Sequence, residues 1–175
     1  MLCLAALIWA IVSYNLLIRD RARVRTAWSD IDVQLKRRHD LIPKLVEVVR
    51  RYAAYESATL SAVTALRAES ERQQEVAAKG EVEGRLGLQL RNLLAVAESY
   101  PDLKASHAYL DLQQNLTGVE NYLQHARRYY NGAVRNLNIR IDSFPDLLVA
   151  RLFRFRPAQF FSYAAGEADD DMEQT

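Results

Sequence analysis

The sequence predicts an all-α fold in which an N-terminal transmembrane helix runs on into an antiparallel four-helix bundle of long helices. Three observations predict it. Gly and Pro are scarce, 6 and 4 among 175 residues, while Ala, Leu, Arg, Glu and Gln, which lose little on entering a helix, abound. Residues 1–18 carry no charged side chain. Finally, Tyr109, Leu112, Leu116, Val119, Leu123, Ala126, Tyr130, Ala133 and Leu137 advance in steps of three and four, the signature of a long helix with one apolar seam. No run alternates at period two over a useful length, so no strand is expected.

The apolar run at 1–18 sits at the short end of the roughly 17–25 residues that a membrane-spanning helix needs. A cleavable signal peptide would place positive charge before such a run and small residues after it. Here Arg19-Asp20-Arg21-Ala22-Arg23-Val24-Arg25 comes next instead. The run therefore reads as a retained anchor, and the cluster of Arg19, Arg21, Arg23 and Arg25 places the bulk of the chain on the cytoplasmic side by the positive-inside rule. The same arginines are candidates for contact with anionic headgroups. One cysteine, Cys3, permits no intramolecular disulfide.

Past the anchor, Val24, Trp28, Ile31 and Leu35 form an apolar stripe, and a first helix is expected to run to about Arg38. His39-Asp40 is expected to turn, with Asp40 capping a second helix over 41–74 and Pro43 in its first turn. In that helix Ile42, Leu45, Val49, Tyr52, Val63 and Leu66 face inward around a polar middle at Glu56 and Thr59. Two glycines and mixed charge make 76–84 a loop. A third helix ends before Tyr100-Pro101-Asp102, with Leu86, Leu90, Leu93 and Ala97 inward. The fourth, long helix ends near Asp142, before Ser143-Phe144-Pro145. The expected domains are thus an anchor (1–18), a helical bundle (19–143), a basic-aromatic segment (144–165) and an acidic, disordered tail (166–175).

Several of these stretches together resemble the LemA family. They are Ile31-Asp32-Val33-Gln34-Leu35-Lys36-Arg37-Arg38-His39-Asp40-Leu41-Ile42-Pro43 and Leu93-Leu94-Ala95-Val96-Ala97-Glu98-Ser99-Tyr100-Pro101-Asp102-Leu103. Ala126-Arg127-Arg128-Tyr129-Tyr130-Asn131 followed by Phe144-Pro145 completes the set. The resemblance implies a bacterial protein with one N-terminal transmembrane helix, a short outside N-terminus and a helical cytoplasmic region, placed at the inner membrane. It implies no enzymatic activity.

The residues offer little chemistry. His39, His107 and His125 are scattered and the cysteine lies in the anchor, so neither metal nor cofactor is expected. No phosphate-cradling glycine loop or nucleophile elbow occurs, and no catalytic residue is assigned. A net charge of +1 gives no support to a nucleic-acid role. Arg37-Arg38-His39-Asp40 reads better as a polar corner between helices than as an anion site. Arg127-Arg128-Tyr129-Tyr130 reads better as an aromatic packing layer than as a nucleic-acid surface. In 144–165, Arg151, Phe153, Arg154, Phe155 and Arg156 either cap the bundle or contact a membrane surface or a partner. The expected function is that of a membrane-anchored scaffold or adaptor, not an enzyme. It would act through protein or membrane-surface binding, with homo-oligomerisation and an unidentified protein partner both open. The alternative is a regulatory component presenting a binding surface at the membrane.

Overall fold

A computed structural model of the chain describes residues 2–53 and 56–163. All regular structure among them is helical: α1 (Leu2–Tyr52), α2 (Ser57–Arg72), α3 (Val76–Ala97), α4 (Pro101–Lys104), α5 (His107–Asp142) and α6 (Asp146–Leu152). The expected acidic tail at 166–175 lies outside the described residues. Among the described residues no helix is long and apolar enough to cross a membrane, so the all-α expectation holds while the expected transmembrane span at 1–18 finds no support there.

The expected turn at His39-Asp40 does not exist. α1 passes straight through it for 51 residues with Pro43 inside, and Asp40 is an exposed mid-helix residue rather than a cap. A proline inside a helix removes one donor and leaves the carbonyl four residues earlier without its partner. That carbonyl belongs to His39, and the Nε of Arg67 in α2 donates to it at 2.9 Å. α1 ends instead at Tyr52 and α2 begins at Ser57, next to the polar middle anticipated around Glu56. The count of long helices survives, but the boundary between the first two moves.

The expected loop at 76–84 is also wrong, because α3 starts at Val76. Its glycines are there for close approach, not for breaking the helix. A Cβ at Gly80 would collide with the backbone of Ser162, one at Gly84 with the backbone of Tyr163, and one at Gly87 would stand 2.9 Å from the Arg38 guanidinium.

The chain divides into two compact units, residues 1–32 with 125–160 and residues 33–124 with 161–175. In the second, the C-terminal part of α1, α2, α3 and the N-terminal part of α5 pack around Ile42, Leu45, Val49, Leu60, Val63, Leu86, Leu90, Leu93 and Leu116, with Leu103 of α4 closing one side. Arg67 bonding to His39, and Arg85 pairing with Glu69 at 2.5 Å, set α1 against α2 and α2 against α3 in antiparallel fashion. Phe161, fully buried, belongs to this unit and stacks edge-on against Tyr163.

In the first unit, α1 and α5 again run antiparallel. Asp20 pairs with Arg140, and Trp28 packs on Tyr130 with ring centroids 5.5 Å apart. Leu17, Val24, Ala27 and Ile31 of α1 and Tyr130, Val134, Leu137 and Ile141 of α5 are buried, so Val134 takes the seam position expected for Ala133. The region 144–160 in this unit is a short helix followed by a stretch without regular secondary structure. Asn138 brackets Ala158 by donating to its carbonyl at 3.0 Å and accepting from its N–H at 2.8 Å, and the Tyr130 hydroxyl donates to the Gln159 carbonyl at 2.8 Å. Burial pushes the Tyr130 phenol up to about 12, so it stays a donor at any physiological pH. Tyr130 thus fills the aromatic layer expected of it, while Tyr129 points out to water.

Candidate functional site

Two clusters stand out, one in each unit. In the first unit the surface is built by the N-terminal part of α1 together with α6. Leu4, Leu7, Ile8, Ile11 and Val12 are each half exposed or more, and only Trp9 and Ala10 between them are partly covered. A helix that is apolar all round has no face suited to water. Cover begins at Ser13, whose hydroxyl donates to Asp146 of α6 at 2.7 Å. Next to it, Tyr14 packs against Phe153 and Phe155 with centroids 4.7 and 6.0 Å apart. Arg140 then ties the level together, donating from Nε to buried Asp20 at 2.6 Å and from Nη1 to Asp146 at 3.2 Å. A cleft of about 300 Å³ opens beside these groups, lined in part by Arg23, Asn136 and Ser143.

α6 itself is two-faced. Val149 and Ala150 are buried, while Leu148 and Leu152, four apart, are 55% and 76% exposed, and Phe144 just before the helix is 80% exposed. The helix ends in a Schellman motif, with the Phe155 N–H bonding the Ala150 carbonyl at 2.9 Å and the Arg154 N–H bonding that of Arg151 at 3.2 Å. The residue in the left-handed position of this motif is Arg154, with φ 54°, where glycine is the usual occupant.

The nine contact residues expected from the sequence all fall in this unit. Arg19, Arg21, Arg23, Arg25, Arg151, Arg154 and Arg156 are exposed. Arg23 pairs with Asp20 at 3.3 Å. Arg21 and Phe155 come together as a cation–π pair, 5.1 Å from guanidinium to ring centroid. Phe153 keeps over half its surface exposed while touching Tyr14. Phe155 is the one that turns inward.

The second cluster is not one the sequence reading anticipates. In the other unit, Arg38, His39, Ser70 and Glu83 are buried together. Glu83 of α3 accepts from Arg38 Nη1 at 2.9 Å, from His39 Nε2 at 2.6 Å and from the Ser70 hydroxyl. Arg38 Nη2 pairs with Glu120 of α5 at 2.8 Å, while its Nε is buried with no hydrogen-bond partner. Burial alone would raise the Glu83 carboxyl. The hydrogen bond from His39 and the charge of Arg38 outweigh it and hold the group below its ordinary range. Glu120 moves the other way: burial raises it, and nearby Glu83 adds to that, against the pull of Arg38. One glutamate is thus firmly ionised beside another that protonates more readily. The Arg38-His39 pair does not form the polar corner between two helices expected from the sequence; it lies within α1 and forms a buried ionic link joining four helices.

A cleft of about 240 Å³ in this unit is lined by Ile42, Pro43, Val46, Glu47, Arg50, Thr64 and Arg67. Neither Arg38 nor Glu83 lines it. Among the described residues, no group of three His, Cys, Asp or Glu is placed to hold a metal ion.

The chain is similar to several known proteins. It is 29% identical over 145 residues to Protein LemA of Metamycoplasma hominis, covering 78% of this chain and 63% of that protein. It is 23% identical over 177 residues to Magnetosome protein MamQ 2 of Paramagnetospirillum magneticum and 22% identical to Magnetosome protein MamQ of Magnetospirillum gryphiswaldense, in each case covering 86% of this chain and 65% of the relative. The chain therefore spans a little under two thirds of the length of these relatives. The LemA family model matches residues 27–173, which takes in the C-terminal half of α1 and every later helix, and so the chain belongs to the LemA family.

Proposed function

We propose that this chain is a non-catalytic scaffold or adaptor held at a bacterial inner membrane by the N-terminal part of α1, with the bulk of the chain on the cytoplasmic side. The observation that carries the reading is the helical stretch at 4–12, apolar on every face and exposed. Exposing that much contiguous apolar surface to water is costly, at about 25 cal/mol per Å², and hydrocarbon removes the cost. Residues 1–18 as a helix would rise about 27 Å, close to the roughly 30 Å of a bilayer core. The arginines at 19, 21, 23 and 25 support a cytoplasmic location for the rest of the chain.

The non-catalytic part of the proposal is supported by how the charged groups of the buried cluster are used. Arg38, His39 and Ser70 each bond Glu83, and Arg38 also pairs with Glu120, which supports a structural tie rather than a site open to substrate. Binding through exposed surfaces and self-association are the activities this architecture suits.

The test is membrane fractionation of the full chain expressed in a bacterium, followed by alkaline extraction. The native chain is expected to stay with the membrane, and an Ile8→Arg/Ile11→Arg chain to be released. Release of the native chain by alkali alone would refute the anchor. Crosslinking in the same membranes separates scaffold from regulator, since stoichiometric self-products favour the first and one defined heterologous partner the second.

A further inference from the structure

We propose that α6 and the turns flanking it form a second membrane contact, an interfacial element that sets Phe144, Leu148 and Leu152 at the acyl boundary and Arg151, Arg154 and Arg156 among anionic phospholipid headgroups. This rests on the reading that residues 4–12 of α1 enter the membrane. Three observations within the one unit point to it.

The first is level. Ser13 bonds Asp146 at 2.7 Å and Tyr14 packs on Phe153 at 4.7 Å. α6 therefore lies beside α1 where the exposed apolar stretch ends. With residues 1–18 crossing the hydrocarbon, the level of Ser13 and Tyr14 lies roughly 7 Å inside its cytoplasmic boundary, within the depth of about 5–10 Å that interfacial elements reach, and Tyr14 suits the aromatic belt there.

The second is the surface of α6. Its inner face is held by Val149 and Ala150, so the exposure of Leu148, Leu152 and Phe144 is fixed by packing rather than left to chance. Short amphipathic elements of this kind bury their apolar side about 5–10 Å into the boundary region.

The third is charge. Arg151, Arg154 and Arg156 are exposed, the carboxylates of Asp20 and Asp146 are engaged by Arg140, Arg23 and Ser13, and exposed Asp142 sets one negative charge against the three arginines. The surplus is positive and complements an anionic leaflet, where each arginine near the surface contributes roughly a fivefold gain in binding. The left-handed Arg154 ends the helical path directly after α6.

The full chain in a Cys3→Ser background carries an environment-sensitive fluorophore on Ile8→Cys or on Leu152→Cys. It is reconstituted into vesicles of phosphatidylcholine alone or of phosphatidylcholine with phosphatidylglycerol. The label at 8 is expected to be blue-shifted in both. The label at 152 is expected to be blue-shifted and quenched by lipid carrying a shallow quencher, more strongly with phosphatidylglycerol. That response should weaken at high salt and in an Arg151→Gln/Arg154→Gln/Arg156→Gln chain whose helical circular dichroism is unchanged.

A shifted label at 8 with a water-like label at 152 in both vesicles would overturn the second contact and leave the anchor standing. An unshifted label at 8 would overturn the anchor itself. A shifted label at 152 that ignores lipid charge and the quencher, together with a disulfide-linked dimer formed on oxidation of the unlabelled Leu152→Cys chain, would show that another chain covers this face and would overturn the lipid contact.

Discussion

Replacing Glu83 by Gln tests the buried ionic link directly. The native carboxylate accepts from Arg38, His39 and Ser70. Gln keeps the shape and one acceptor oxygen but removes the charge and turns an N–H₂ toward donors. Arg38 would then be left buried with Glu120 alone, and the Glu120 side chain is 40% exposed, so its charge is partly screened by water. Removing one partner of a buried pair costs about 3–5 kcal/mol, and the retained oxygen argues for about 3 kcal/mol. In a chain of this size that is a fall of about 6–12 °C in Tm, read by circular dichroism at 222 nm in a membrane mimic. Arg38→Met/Glu83→Leu should be less destabilised than the two single changes added together, by about 2 kcal/mol, because no buried charge is left over.

The sign of the pH dependence comes from the two glutamates. Glu83 is held low in the folded state, so its contribution is present above the ordinary carboxyl range and is lost as pH falls through the lowered value. Glu120 is raised, so it acts oppositely, giving up stability as pH rises through its folded value; its exposure makes this the smaller effect. The Tm difference between native and Glu83→Gln chains should therefore shrink as pH is lowered from about 7 to about 3. A Glu83→Gln chain within about 1 kcal/mol of native at neutral pH would refute the link as a stabilising element.

Three further outcomes are expected. Gly84→Ala should destabilise by about 1–3 kcal/mol through collision with the Tyr163 backbone, whereas Gly118→Ala, with open space around it, should stabilise by up to about 1 kcal/mol; paired thermal melts check the opposite signs. Arg154→Gly should raise stability by about 1 kcal/mol by relieving the left-handed arginine, again read by melting. Arg67→Met should cost about 1–2 kcal/mol by orphaning the His39 carbonyl, and much less in a Pro43→Ala background, where a backbone N–H returns to that carbonyl; a double-mutant cycle in denaturant measures the coupling.

Much of the helical content is legible because the three-and-four spacing survives any error in boundaries. Leu86, Leu90, Leu93 and Ala97 are buried as expected, as are Tyr109, Leu116, Val119, Leu123 and Leu137. The boundaries fail where local residue preference outweighs the seam. His39-Asp40 and Pro43 resemble a turn and a helix start, yet the run Ile31, Leu35, Arg38, Ile42, Leu45, Val49 keeps its spacing across them. Arg67, 28 residues away, supplies the bond that the proline takes from the helix. No local pattern announces that. The glycines of α3 mislead in the same way, since the backbone of 162–163 that needs their space is remote in sequence. Glu83, by contrast, has a readable signal. It lies three residues before Leu86 on the α3 seam, and Arg38 lies on the α1 seam. Two opposite charges, each alone on an otherwise apolar seam, are what a buried pair between helices looks like before folding.

The two clusters differ in what their charges leave unspent, and the proposed membrane contacts follow that difference. In the unit of residues 33–124 and 161–175, Arg38 and Glu83 pair with one another and with side chains of the neighbouring helices, so most of their polar free energy goes into fixing helix register. In the unit of residues 1–32 and 125–160, the polar pairing is confined to the level of Ser13, Asp20, Arg140 and Asp146. On one side of that level lie exposed Leu4, Ile8 and Ile11, and around it lie exposed arginines and the outer face of α6. Apolar and cationic groups together in water leave both the hydrophobic and the Coulombic gain uncollected. A surface that is apolar beneath and anionic at its rim collects both, and a phospholipid leaflet is such a surface.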